Sequence, residues 1–352
     1  MFDSPETLTE ALAGENYVID PEFAVVVHLA TALERPLLLE GPAGVGKTEL
    51  AKSLAAASGR TLIRLQCYEG LDDGRALYEW DYGKQLMHVQ MLRDRIGELL
   101  SGTATMAEAS ARLRAEDTGL YTEDFLLPRP LLEALLSPEP VVLLVDEVDR
   151  TEESMEALLL EVLAERQVTV PEIGTFTARS TPWVVLTSND TRELSPALKR
   201  RCLHFGVGFP TPERETAIVS RRAPAVADDV VADVVELARR LRDLPLRKAP
   251  SISEVIDAAR AAAVLGCGSA GEAAKVRSAL LAALLKYGSD RELALARLDG
   301  DDGAGGPAAE PRPGRPADTT SGAFGRGRAA SSAGGATTGA RAQADRARRG
   351  LR

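Results

Sequence analysis

The sequence predicts an α/β fold: a parallel sheet flanked by helices, then a small all-α domain and a disordered C-terminal tail. Three observations predict it. Short apolar runs alternate with helical stretches as far as Pro210, the pattern of buried parallel strands joined by crossover helices. The first of these runs enters a Gly-rich turn that opens into a helical pattern. Beyond Pro210 the periodicity becomes wholly helical, and from Gly300 it disappears.

Residues 1–35 read as two short helices. The second, FAVVVHLATALE (23–34), is apolar nearly all round and is expected to be buried. PLLLE (36–40), TLIRLQC (61–67), VVLLVDE (141–147) and WVVLTSN (183–189) are strand candidates, all continuous and apolar except the alternating TLIRLQC. VTVPEIGTF (168–176), split by Pro-Glu-Ile-Gly, reads as a hairpin attached to that sheet. TPERETAIVSRR (211–222) opens the helical part, with Thr211 as N-cap and Pro212 at the first helical position. Three more helices are expected near 226–242, 251–265 and 271–298. Residues 300–352 hold 12 Gly, 9 Arg and one aromatic, Phe324, too little apolar surface to offset the entropy of ordering. The expected division is therefore 1–209, 210–299 and 300–352.

Composition limits the function. Of the 352 residues, 45% are hydrophobic, ample for packed cores. Residues 1–299 carry 33 Lys and Arg against 47 Asp and Glu, which argues against a broad grip on nucleic acid, though not against a local basic pore. Cys67, Cys202 and Cys267 are few and scattered, as are His28, His88 and His204, so neither a disulfide framework nor a protein-only zinc site is expected. Asp3 and Glu6 stand where a leader peptide would be positive, and no apolar run approaches the roughly 20 residues of a membrane span. A soluble cytoplasmic protein is the expectation.

The turn, Gly41-Pro42-Ala43-Gly44-Val45-Gly46-Lys47-Thr48, fits G-x-x-x-x-G-K-[ST] without departure, with a strand before it and a helix after it. Gly41, Gly44 and Gly46 let successive N–H groups point at one anion. Lys47 is placed to reach the β- and γ-phosphates and the Thr48 hydroxyl to ligate Mg²⁺, with Glu49 next in the phosphate-binding stretch. VVLLVDEVDR (141–150) is a buried strand ending in two acids, where a charge is costly unless it meets a cation. Asp146 at the strand end would hold Mg²⁺ through water, and Glu147 would polarise the attacking water. Asp149 and Glu152 read as ordinary helix-start acids. Asn189 ends a strand 43 residues after Asp146 and can position water against the γ-phosphate. Arg200 and Arg201 lie too far past that strand for their own nucleotide, but suit a neighbouring subunit's. Such a finger is worth about 10³–10⁵ in rate.

GPAGVGKT, VVLLVDE, the TSN strand end and the KRRC arginines, in this order, resemble an AAA+ ATPase over about residues 15–265. LYEWDYGKQL (77–86), a FLLPRPLLEAL helix (125–135) and the VTVPEIGTF hairpin look like the MoxR family, nearest its CoxD-like branch. The interval of 99 positions from Lys47 to Asp146 fits that family's helical insert after the second strand. Within that insert, MLRDRIGELL (91–100) and MAEASARLRAE (106–116) read either as an exposed amphipathic surface or as helices packed on the core.

The resemblance implies a P-loop NTPase of AAA+ type, with an αβα core, a helical lid and a ring, usually a hexamer. It implies ATP and Mg²⁺, with Thr48 and Asp146 on the metal side, Glu147 activating water and Asn189 as sensor. Arg201, directly before Cys202, becomes the finger, with Arg200 the alternative, and Tyr17 and Val18 lie near the adenine. Many relatives start a lid helix with an Arg facing the γ-phosphate. Here that helix begins APSISEVIDAAR, and Lys248 or Arg247 just before it is the available substitute. The resemblance further implies a chaperone working on a protein client with a von Willebrand factor A domain partner. For the CoxD-like branch the client would be a molybdenum hydroxylase under metal-cofactor assembly. A nucleic-acid motor or restriction-type NTPase subunit is the competing reading. A small GTPase is disfavoured, because Asn189 is followed by Asp-Thr-Arg rather than K-x-D. A non-catalytic scaffold is disfavoured by intact Lys47, Asp146 and Glu147.

Overall fold

The computed structural model describes residues 2–93, 105, 107–108, 121–171, 173–269, 271–272 and 276–301. Most of MLRDRIGELL and MAEASARLRAE, and the tail from 302, lie outside them. Two helices open the chain, α1 (Pro5–Gly14) and α2 (Pro21–Ala32). Ser4 and Thr7 form a capping box on α1, and Asp20 caps α2. Then follow β1 (Leu37–Glu40), α3 (Lys47–Ser58), β2 (Leu62–Gln66), α4 (Asp73–Ala76), β3 (Tyr78–Trp80), α5 (Tyr82–Met91), β4 (Leu126–Pro128), α6 (Pro130–Leu136), β5 (Val142–Asp146), α7 (Glu153–Glu165), β6 (Gln167–Val170), β7 (Gly174–Thr177), β8 (Trp183–Ser188), α8 (Pro196–Arg201) and β9 (Leu203–Gly206).

The main sheet is parallel throughout, in the order β2-β5-β8-β1-β9. Its alternating side chains feed two cores. Leu38, Leu143, Val145, Val184 and Leu186 pack on one face with Leu131 and Leu135 of α6 and Leu159 and Val162 of α7. Leu37, Leu39, Val142, Leu144 and Val185 pack on the other with Leu8 of α1, Phe23 and Val27 of α2, and Leu50 and Leu54 of α3. Each such leucine contributes about 2 kcal/mol of apolar burial. A sheet fed from both faces explains why these strands read as continuous apolar runs. The register pairs Gln66 with Asp146 and Glu40 with both Ser188 and Gly206, so the strands finish at one carboxyl edge, where ligands of open parallel sheets bind.

The remaining helices are α9 (Pro212–Arg222), α10 (Asp228–Arg242), α11 (Ile252–Val264), α12 (Arg277–Leu284) and α13 (Gly288–Asp301). They share a third core, with Val231, Val235 and Leu241 of α10, Val255 and Ala259 of α11, and Leu281 of α12. Thr211 caps α9 and Pro212 is its first residue. Among the described residues no helix is long and apolar enough to cross a membrane.

The structure corrects several expectations. The β6–β7 hairpin forms its own two-stranded sheet and is not hydrogen-bonded to the main one. Val168, Val170 and Phe176 are already buried in the core that α6 and α7 line, so no ladder to the main sheet is needed. The 125–135 helix is shorter. Leu126–Pro128 instead pairs antiparallel with Tyr78–Trp80, because Pro128 and Pro130 push the residues before them, Leu127 and Arg129, out of the helical region. Within the expected 271–298 helix, the described residues form separate helices over Arg277–Leu284 and Gly288–Asp301, broken where Leu285 turns extended, and the latter runs on just past the expected start of the tail. The structure adds an edge strand, β9, that the sequence pattern does not mark, since LHFG is short and only half buried.

Candidate functional site

The phosphate loop crosses the carboxyl edge of the sheet from β1 to α3. Gly41, Gly44 and Gly46 all have positive φ, of 150°, 76° and 100°. At two of them a side chain would also collide. A Cβ on Gly41 would lie 2.1 Å from the Val207 carbonyl oxygen, and one on Gly44 would lie 2.4 Å from Ser251 Cβ. Gly46 caps α3 with no side-chain bond, leaving the first-turn N–H groups as an anion site.

Lys47 is buried, and Nζ donates to the carbonyl oxygens of Gly41 and Pro42 (both 2.7 Å) and to Asn189 Oδ1 (3.0 Å). Burial pulls its pKa below the usual lysine range, partly opposed by Asp149, Asp146 and Glu147. The strand-end acid is held just as closely. Asp146 Oδ1 accepts from Thr48 Oγ1 (2.9 Å) and Thr187 Oγ1 (2.6 Å), and Oδ2 meets Arg64 Nη2 at 2.5 Å. Glu147 follows in the left-handed region (φ 59°), its N–H donating to Thr187 Oγ1 (2.9 Å) and its carboxylate pairing with Arg150 Nε (2.7 Å).

Two clefts meet on this loop. One, of about 660 Å³, is lined by Lys47, Thr48, Asp146, Glu147, Thr187 and Asn189. The other, of about 570 Å³, is lined by Tyr17, Val18, Val45, Arg214, Arg222 and Ile256. Gly44, Gly46, Glu49 and Ser253 line both. Tyr17 OH donates to the Gly46 carbonyl (3.4 Å), and burial pushes its pKa up.

The donor set fits a polyphosphate and a hard divalent ion. The glycine cradle, the helix start and Lys47 supply anion donors, while Thr48 and Asp146 stand side by side as oxygen ligands. The arrangement can hold a nucleoside triphosphate with its base side at Tyr17 and its terminal phosphate at Lys47.

The structure thus brings Gly41 to Glu49, Asp146, Glu147, Asn189, Tyr17 and Val18 around one site. Arg200 and Arg201 are not in it. Both are exposed on α8, where Arg201 Nη1 reaches only the Ala197 carbonyl at 3.5 Å. Lys248 lines neither cleft and pairs with Glu254 Oε1 at 3.0 Å. Arg247 lies over the Tyr287 ring.

Asp149 differs from the expectation of a helix-start acid. It is buried and accepts from the Thr191 N–H (3.0 Å) and Thr191 Oγ1 (2.6 Å), tying down the loop after Asn189. Burial raises its pKa, but these bonds outweigh it and leave the carboxyl below its ordinary value. Glu156 is buried too, and binds Arg192 Nη2 (2.6 Å) and the Ser195 N–H (2.9 Å) further along that loop. Sequence reasoning also missed Thr187, Arg64, Arg150 and Arg222. Only Thr187 left a signal, as a hydroxyl inside an apolar strand.

The family described as AAA domain (dynein-related subfamily) matches residues 36–202. Over 231 residues the chain is 27% identical to Protein NorQ of Paracoccus denitrificans, a match covering 65% of this chain and 72% of NorQ. Shorter matches reach the Lon protease of Nitratidesulfovibrio vulgaris, 53% identical over 45 residues, and that of Elusimicrobium minutum, 40% over 63. They cover 12% and 16% of this chain, and 6% and 8% of those proteases.

Proposed function

We propose that the chain is a MoxR-like AAA+ ATPase and that it works as a ring-forming, Mg²⁺-dependent chaperone that remodels a protein client. The observation that carries this reading is a division of parts. Lys47, Thr48, Asp146, Glu147 and Asn189 converge on one cleft, whereas Arg200 and Arg201 are exposed on α8 outside it. A site complete except for its arginine suits a ring in which each subunit finishes its neighbour's site.

In this reading Lys47 and the loop N–H groups hold the phosphates. Mg²⁺, ligated by Thr48 and Asp146, would neutralise charge on the phosphate oxygens. Glu147 leaves Arg150 and orients the attacking water as general base. Asn189, released from Lys47, positions that water against the γ-phosphate. Arg201 of the adjacent subunit, with Arg200 as the alternative, stabilises the charge of the transition state. The proposed lid, residues 210–299, closes over Tyr17 and Val18.

We take the client to be a protein under metal-cofactor assembly, such as a molybdenum hydroxylase, engaged together with a von Willebrand factor A domain partner in the cytoplasm. The support is the insert and hairpin stretches that resemble the CoxD-like branch.

Mixing Arg201→Ala subunits into wild-type protein tests the shared site. ATPase activity plotted against mixing ratio is expected to fall below the dilution line, and Glu147→Ala subunits to restore part of it by donating their arginine. Strictly proportional loss, with activity independent of protein concentration, would overturn the ring. Turnover stimulated by nucleic acid instead of a protein partner would favour a motor.

A further inference from the structure

The lid helix that should carry a phosphate-facing arginine has none in its first turn, and the two nearby substitutes are engaged elsewhere. Lys248 is on Glu254 at 3.0 Å, with its N–H on Asp290, and Arg247 stacks on Tyr287. The lid nevertheless reaches the nucleotide site by another route. Arg214, Ile218 and Arg222 of α9 are spaced i, i+4, i+8, so they share one helix face, and all three line the Tyr17 cleft. Arg214 is occupied with the cleft wall, donating to the Val18 carbonyl at 3.2 Å. Arg222 reaches further in. Its Nη2 lies 2.8 Å from Oε1 of Glu49.

Glu49 follows Thr48 in the first turn of α3 and lines both clefts, so it stands at their junction. A phosphate chain running from the Tyr17 side to Lys47 passes this carboxylate. A bare charge there would repel it at close range. Lys52 Nζ at 3.3 Å and Arg222 Nη2 at 2.8 Å flank the Glu49 carboxylate with cations. A guanidinium has donors enough to keep one carboxylate contact and turn others to a phosphate.

We propose that Arg222 is the lid residue that recognises the nucleotide's phosphate chain: it masks Glu49 at the junction of the two clefts and binds the phosphates as they enter. The lid thereby senses the nucleotide through the end of α9 and not through the start of α11. The inference rests on the nucleotide lying across both clefts as proposed above.

The rival account is a structural staple between lid and core, and the two give opposite results. Binding of a fluorescent ADP analogue, with ADP and adenosine as competitors, is measured for the full chain and its variants. Arg222→Ala is expected to weaken ADP about tenfold, the size of one charge-assisted hydrogen bond, and adenosine less than about twofold. Arg222→Lys recovers most of that loss. Glu49→Gln, which removes the competing carboxylate, is expected to tighten ADP binding. Parallel losses in Arg222→Ala and Glu49→Gln, or equal losses of ADP and adenosine, would overturn the proposal. The ADP-to-adenosine ratio is insensitive to partial misfolding, so a weakened fold does not mimic the expected result. Lys47→Ala is run alongside. If it too leaves ADP binding intact, the placement of the nucleotide fails, not the role of Arg222.

Discussion

Thr187 shows how one hydroxyl organises both strand-end acids. It donates to Asp146 Oδ1 and accepts from the Glu147 N–H, so it fixes the metal-side carboxylate and the backbone from which Glu147 projects. A hydroxyl can do both because it is donor and acceptor at once; valine has nearly its shape and neither capacity. Thr187→Val is therefore expected to reduce kcat for ATP by about tenfold to a hundredfold, while KM changes less than about threefold, because the ground-state phosphate donors are untouched. Steady-state kinetics check it. A rise in KM at constant kcat would place Thr187 in binding, not in the chemistry. The loss of stability should stay near 1–2 kcal/mol, since the Asp146 Oδ1 it leaves still accepts from Thr48.

At the level of elements, the meeting of α11 with the phosphate loop links lid position to nucleotide. Ile252 N–H donates to the Gly44 carbonyl at 3.2 Å, and Ser251, which caps α11 in a box with Glu254, abuts Gly44 so closely that a methyl there would lie 2.4 Å from its Cβ. Gly44→Ala adds that methyl at a φ of 76°, a conformation alanine resists, so the loop or the helix start has to move. Calorimetric titration is expected to show ADP binding weakened at least about tenfold, with thermal stability lowered by about 1–2 kcal/mol. Unchanged affinity would mean that the lid docks without shaping the loop.

The same junction shows where the sequence was readable. GPAGVGKT announced the loop because glycine spacing encodes backbone conformation locally, and Asp146, Glu147 and Asn189 were readable because polar ends on apolar strands are conspicuous. Arg64, Asp149 and Arg222 were not, because their roles depend on partners distant in the chain: Asp146, Thr191 and Glu49. The hairpin was recognisable as a hairpin, but whether it joined the sheet depended on α6 and α7 already burying its inner face. Helix ends with a capping residue, such as Thr211–Pro212, were placed correctly. The break at Leu285 carried no such mark.

The described residues as far as Asp301 form one compact unit although their apolar side chains divide into three cores, so something must join the cores into one cooperative structure. The sheet joins two of them by feeding both faces. The helical core is joined by α9, through Ile218 and its arginines, and by α11. Val255, Ala258 and Ala259 of this helix belong to the helical core, Ile252 belongs to the core of α1, α2 and α3, and Ile256 packs against both. Ile252 is 6% exposed, so truncating it to alanine should cost about 2–4 kcal/mol, and that cost falls on the connection and not on either core alone. Scanning calorimetry of the wild type is expected to give a single transition for this unit, raised by saturating ADP because only the joined form completes the site. Ile252→Ala should split it, with a helical transition moved down by several degrees and the α/β transition little changed. ADP should then raise both and narrow the gap, because bound nucleotide restores by linkage the connection that the truncation weakens. Two transitions already present in the wild type, or one transition moved intact by Ile252→Ala, would show that α11 does not join the cores, and lid closure would then need another route to the phosphate loop.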